Sequence, residues 1–251
     1  MKRFWKNVAI GEDRGITLDG KPVRTPGKQP LILPTPALAE AVADEWRAVA
    51  EGALIDPRAM PLTGLANAAI ERIDPAAFSA ALAAFGESDL LCYRAESPDD
   101  LVARQAALWD PILDWARTRY DVHFEIASGV MHRHQPPATI ARLTEAVAAR
   151  NAWELAGLSP IVTIGGSLVA ALALDEGAAT AEQIWRAVEL DEDWQAEQWG
   201  RDELSLGALE SRRRDFDAGV RFLTLLSPSP SGEGLLGRPI PPSATSGSAC
   251  G

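Results

Sequence analysis

Capping residues followed directly by proline punctuate this chain: Thr35-Pro36, Asp74-Pro75, Ser97-Pro98, Asp110-Pro111 and Ser159-Pro160, with Pro136-Pro137 as a further joint. Proline has no amide hydrogen and clashes with the preceding turn, so it suits the first position of a helix and disrupts the interior. Each pair therefore reads as a helix start or a break. The predicted helices begin at Thr35, with Leu38, Val42, Trp46 and Val49 on the apolar face and Gly52 at the end. Others run from Asp74 to Phe85, from Ser97 to Trp109 and on past a break or kink at Asp110-Pro111 to Tyr120, and from Pro136 to about Arg150. An apolar helix follows from Ser159 to Leu174, one capped by Thr180 reaches Trp199, and the last spans Glu203 to Leu226. Short, frequent joints of this kind favour an orthogonal helical bundle over a long coiled coil.

The first residues follow a different period. Trp5 to Ile10, Ile16 to Leu18, Pro22 to Thr25 and Leu31 to Leu33 read as short strands. Asp19-Gly20 marks a two-residue hairpin turn, since both central positions of a type I′ turn need positive φ. Asp19, Gly20 and Trp46 are thus structural candidates, with the Trp46 helix laid on the sheet. Val122 to Ile126 reads as a strand returning to that sheet. The expected fold is α+β: a small two-layer N-terminal domain over residues 1–73, then a helical bundle over 74–226. Residues 227–251 are rich in Ser, Pro and Gly and hold few large apolar side chains, so they read as a disordered tail.

The 251 residues carry a formal charge of -11 and a pI near 4.8. That balance excludes nucleic acid and anionic membrane surfaces as natural partners, because phosphates demand a basic face. It fits a basic protein partner, or serves solubility alone. The two cysteines, Cys92 in an apolar run and Cys250 near the end, allow no disulfide framework and fit a reducing compartment. The longest apolar run, Leu168 to Leu174, is far short of a membrane span. The N-terminus shows neither a secretory nor an import leader, so the expected location is where the chain is made.

The most unusual segment is Glu189 to Gly200. Projected as one helix at 100° per residue, Ile184, Trp185, Val188 and Trp199 share a face with Glu192 and Gln195. A core-facing stripe should exclude a carboxylate, because an unpaired buried charge costs several kcal/mol. Glu192 is then either a buried carboxylate paired with an arginine or part of a wet, tryptophan-rimmed surface offered to another protein. Glu192, Gln195, Trp199 and Trp185 are the candidate binding residues.

Other motifs carry less. His132-Arg133-His134, with His123 nearby, offers two zinc ligands at i and i+2 but no carboxylate at an obvious spacing. No metal and no cofactor are expected; a small metal-binding protein or small-molecule enzyme using His132 and His134 stands as the alternative. Thr163-Ile164-Gly165-Gly166-Ser167 matches neither phosphate-loop pattern, and its small residues suit close helix packing. No Gly-x-Ser-x-Gly elbow supports a catalytic serine.

Taken in order, a set of short pieces resembles a known family. These are Arg3-Phe4-Trp5-Lys6-Asn7-Val8, Leu18-Asp19-Gly20-Lys21-Pro22-Val23-Arg24-Thr25-Pro26, Ala43-Asp44-Glu45-Trp46 and Met60-Pro61-Leu62-Thr63. They continue with Ser88-Asp89-Leu90-Leu91-Cys92-Tyr93-Arg94, Gln105, Trp109-Asp110-Pro111, then Glu192, Gln195, Trp199 and Gly200. Across about residues 3–226 the chain resembles the assembly chaperones that handle the alpha subunit of the F-type ATP synthase catalytic sector. The resemblance implies an ATP-independent chaperone, not an enzyme, that binds the unassembled alpha subunit, prevents its aggregation and yields it to beta. It implies a bacterial cytoplasmic setting here, with the mitochondrial matrix for eukaryotic relatives. A monomer is expected, without nucleic-acid or membrane partners.

Overall fold

The computed structural model describes residues 2–71, 74–129 and 132–227. The predicted hairpin forms as read. Asp19 and Gly20 take φ of 47° and 76°, the two positive angles of the turn, between β2 (Ile16–Leu18) and β3 (Lys21–Pro22). β1 (Val8–Ile10) pairs antiparallel with β2, Ala9 opposite Thr17, giving the order β1-β2-β3. Asp19 also accepts from the backbone N–H of Lys6 (3.1 Å) and Asn7 (2.8 Å), tying the turn to the segment leading into β1. Val23 to Leu33 continues only as isolated bridges, Gly15 to Ile32 and Arg24 to Pro30. Pro26, Pro30 and Pro34 supply no ladder donors, which keeps this stretch from forming regular strands.

α1 (Pro36–Ala48) starts at Thr35, whose Oγ1 accepts from Leu38 N. The same hydroxyl donates to Leu225 O at 2.6 Å, so the start of α1 is joined to the far end of the chain. Leu38, Val42 and Trp46 are buried, and the Trp46 ring lies 5.3 Å from that of Trp5 beneath the sheet. Glu45, on the same helix, accepts from Leu62 N, Thr63 N and Thr63 Oγ1 at 2.7–2.8 Å and so caps α2 (Pro61–Glu71). Burial outweighs these bonds and raises the Glu45 carboxyl above its ordinary range.

α3 (Pro75–Ala83) is capped by Asp74 and runs into a 3-10 turn, Ala84–Ser88. α4 (Asp99–Tyr120) continues through Pro111, so the expected break there is absent. Pro160 likewise lies inside α6 (Ala152–Gly165), which starts earlier than expected because Asn151 and Glu154 form a reciprocal capping box. Leu155, Leu158, Ile161 and Val162 are all buried on α6. That burial outweighs the cost of an interior proline, about 3 kcal/mol. The apolar helix expected over 159–174 is two helices, α6 and α7 (Leu168–Asp175), with Gly166 in the left-handed conformation between them and Ser167 capping α7.

The strand expected at Val122 to Ile126 does not form. Its backbone is met by side chains: Thr139 Oγ1 donates to His123 O (2.6 Å), while the Gln135 amide exchanges bonds with Glu125 N and O (3.0 and 2.9 Å). Only β5 (Ala127–Ser128) is extended, pairing parallel with β4 (Tyr93–Arg94) in a separate two-stranded sheet. α5 (Pro137–Ala148), α8 (Ala181–Val188), α9 (Leu190–Trp199) and α10 (Glu203–Leu226) complete the order.

Two apolar clusters result. One surrounds Trp5, Leu33, Leu38, Val42 and Leu62 and takes in Ala156 of α6 and Phe222 of α10. The other lies among α4, α6, α7 and α8 around Trp109, Leu113, Ile161 and Ile184. α6 and α10 touch backbone to backbone: a Cβ on Gly219 would stand 2.8 Å from Gly157 O and 2.7 Å from Pro160 Cγ. The expected boundary at 73/74 falls at residues 72–73, outside the described residues, as does the expected tail beyond Ser227.

Candidate functional site

The predicted helix from Thr180 to Trp199 bends at Glu189. Thr180 and Gln183 form a capping box that starts α8, and Glu189, at φ −95° and ψ 0°, closes α8 and opens α9. A single helical projection across that corner is therefore invalid, and the face built from it is corrected. Trp185 turns inward at 8% exposure, its ring 5.2 Å from Phe216 and covered by the Arg213 guanidinium at 5.0 Å. Glu192, Gln195 and Trp199 point to solvent, with Trp199 80% exposed. Trp185 is thus separated from the other three.

The buried carboxylate in this region is Glu189, not Glu192. Glu189 is 1% exposed, and Arg212 Nη2 stands 2.5 Å from its Oε1. That contact supplies charge without an aligned donor, since neither oxygen accepts a hydrogen bond among the described residues. Burial raises the Glu189 carboxyl above its ordinary range against the pull of Arg212. Asp191, Glu192 and Asp193 fill the first turn of α9, where the helix dipole favours negative charge.

α9 forms one wall of a cleft of about 450 Å³. Trp194, Gln195 and Trp199 line it from α9, Leu101 and Gln105 from α4, and Tyr93 from β4. The walls are joined by polar bonds, one of them buried. Gln105, 2% exposed, accepts from Ala95 N (2.9 Å) and donates to Asp191 Oδ1 (2.8 Å). Arg104 covers the Trp194 ring at 4.7 Å while holding both oxygens of Glu197. Trp109 Nε1 donates to Ala187 O at 2.7 Å, locking α4 to the end of α8. The side chains of Glu192 and Gln195 make no hydrogen bond or ion pair among the described residues, and Trp199 packs on no other ring there. The cleft thus offers an apolar floor and an exposed indole, with the uncommitted, exposed Glu192 outside its lining on the same helix. Leu204 and Leu206 just beyond are 85% and 45% exposed. Sequence reasoning passed over both: Leu204 lies five turns before Phe222 on the same helical face, and only the structure shows that this end of α10 is uncovered.

The Gly165-Gly166-Ser167 segment serves packing. A Cβ on Gly165 would stand 3.1 Å from Val188 Cγ1, and the start of α7 is closed by Asp89. Asp89 is fully buried and accepts from Val169 N (2.9 Å) and Leu91 N (3.1 Å), so a carboxylate occupies the place a phosphate would need. Burial pushes its carboxyl up to about 6.

The histidines divide. His123 is held through its backbone to Thr139, while His132 and His134 meet Glu87 of the 3-10 turn. The carboxylate missing from the sequence spacing comes from a residue far upstream.

Comparison with known proteins agrees with this architecture. Residues 2–117 match the family model described as ATP12 chaperone protein. The crystal structure of Atp12 from Paracoccus denitrificans superposes with a TM-score of 0.82 at 42% identity, over 90% of this chain and 98% of that one. The Atu1473 protein from Agrobacterium tumefaciens gives 0.83 at 44% identity, over 90% and 86%. The mitochondrial protein atp12 of Schizosaccharomyces pombe is 24% identical over 215 residues, 79% of this chain and 74% of its own length. With its strand meander, its capped helices and its α4–α9 cleft, the chain belongs to the ATP12 chaperone family.

Proposed function

We propose that this protein is an ATP-independent assembly chaperone of the F-type ATP synthase. On this reading it holds the unassembled alpha subunit of the catalytic sector through the α9 surface until beta takes its place. One observation carries the assignment of the surface: Trp199, 80% exposed at the rim of the cleft, with the uncommitted side chain of Gln195 one turn before it and the exposed Glu192 a further turn along α9. Unassembled subunits expose apolar patches that aggregate. A holder that must later let go is served by a polar, partly wet interface with an aromatic anchor. The net charge of -11 favours a basic patch on the client. Closure of the Gly-Gly-Ser segment by Asp89 supports a mechanism without nucleotide.

The relatives from two bacteria at 42% and 44% identity support a bacterial cytoplasmic setting. Co-expression with the alpha and beta subunits of the same organism's synthase tests the reading. The expected result is that alpha alone stays soluble and co-purifies with the chaperone, and that added beta releases it. Glu192→Lys and Trp199→Ser should fold normally and lose capture. Full capture by both variants would remove the assigned surface, and failure of the unaltered protein to hold alpha would remove the assigned client.

A further inference from the structure

Glu87, His132 and His134 come together from parts of the chain that no sequence spacing relates. Glu87 lies in the 3-10 turn after α3, and the two histidines lie in the loop between β5 and α5. Their ligand atoms all fall within 4.8 Å of one another. His134 Nδ1 is 2.8 Å from Glu87 Oε1, and His132 Nε2 is 3.8 Å from the same oxygen. The two imidazoles stand edge to face, with centroids 4.8 Å apart. A fourth residue orients the set: Tyr93 Oη lies 2.7 Å from His132 Nδ1, with the rings stacked at 6.5 Å.

We propose that Glu87, His132 and His134 form a site for a divalent transition metal of the zinc class. Metal–ligand bonds of about 2.1 Å in tetrahedral array place ligand atoms roughly 3.4 Å apart. The two contacts to Glu87 Oε1 bracket that value, and with all three ligand atoms within 4.8 Å of one another, metal entry needs side-chain shifts of about an ångström. Two imidazole nitrogens with one carboxylate suit zinc, cobalt or nickel, whereas calcium and magnesium prefer oxygen throughout. Tyr93 supplies the outer contact typical of ligating histidines. With the proton on His132 Nδ1 shared with Tyr93 Oη, Nε2 keeps its lone pair toward Glu87. His134 is largely open to solvent, leaving the fourth position to water or to a side chain of a bound protein. Because Tyr93 also lines the α9 cleft, an occupied site would brace one of its walls. This inference is independent of the identity of the client.

The test is zinc titration of the full chain after chelator treatment, at neutral pH in a non-coordinating buffer. One saturable equivalent is expected, and cobalt in place of zinc should give visible bands of tetrahedral intensity. Glu87→Gln and His132→Ala should each weaken binding by more than tenfold. Tyr93→Phe should weaken it by about tenfold, as outer-shell losses do. His123→Ala and Cys250→Ser should leave it unchanged. All five substitutions should keep the native far-ultraviolet dichroism. Absence of a saturable equivalent in the unaltered chain would overturn the proposal. So would unchanged affinity in both Glu87→Gln and His132→Ala, which would mean that the histidine–glutamate contacts are surface hydrogen bonds only.

Discussion

Asp89 sets two opposing forces against each other at one buried group, and the pH dependence of stability decides between them. Its oxygens accept from Leu91 N and Val169 N, and it sits at the start of α7; both features favour the charged form. Complete burial favours the neutral form and prevails, moving the carboxyl from the ordinary 3.8 to about 6. Between those values the folded protein keeps a proton that the unfolded chain has released. Stability contributed by this group is therefore fully present below about 3.8 and lost as pH rises through about 6. A shift of about two units corresponds to about 3 kcal/mol. Asp89→Asn retains one acceptor oxygen and cannot ionise. It lowers stability by a constant amount for the lost cap and removes the titration. Urea unfolding followed by tryptophan fluorescence, from pH 4 to 7, gives the difference between parent and variant at each pH. The parent's advantage should shrink with rising pH by about 3 kcal/mol. A flat difference, or one that grows with pH, would refute the reasoning and show that the amide bonds and the helix dipole outweigh burial.

Two further substitutions probe the packing. Gly219→Ala should cost about 1–3 kcal/mol because its Cβ meets Gly157 O at 2.8 Å. Gly207→Ala on the same helix, with nothing within 4 Å, should gain about 0.5–1 kcal/mol, and the pair is read from denaturation midpoints. Arg150, just past the end of α5, holds Asp175 (2.9 Å) and Glu176 (3.2 Å) at the end of α7, and Arg119 also pairs with Glu176. Arg150→Ala should therefore cost about 3 kcal/mol, chiefly by leaving Asp175 without its partner, and the loss should survive high salt because the pair is buried.

The start and stop signals were the legible part of the fold. Thr35, Asp74 and Thr180 cap where their side chains and the following residues indicate, and Asp19-Gly20 turns as its positive φ requirement demands. Pro111 and Pro160 misled because the local rule against interior proline is overridden by burial of the flanking side chains. Val122 to Ile126 misled because the partners of its backbone are the distant side chains of Gln135 and Thr139. At the site, Glu192, Gln195 and Trp199 were legible as a polar and aromatic set. The assignment of Trp185 failed at the corner in Glu189, which no residue pattern marks: the segment has neither Pro nor Gly until Gly200. Glu87 was invisible beside the histidines because only tertiary folding brings it there.

The central claim is about location: the client meets the α9 face. A photo-crosslinking residue placed at position 199 in the full chain tests it directly, with a matched probe at Leu54, which is 67% exposed and remote in sequence from the cleft. In the presence of the alpha subunit, position 199 should give the crosslinked pair and position 54 should not. Crosslinking from position 54 without any from position 199 would contradict the account.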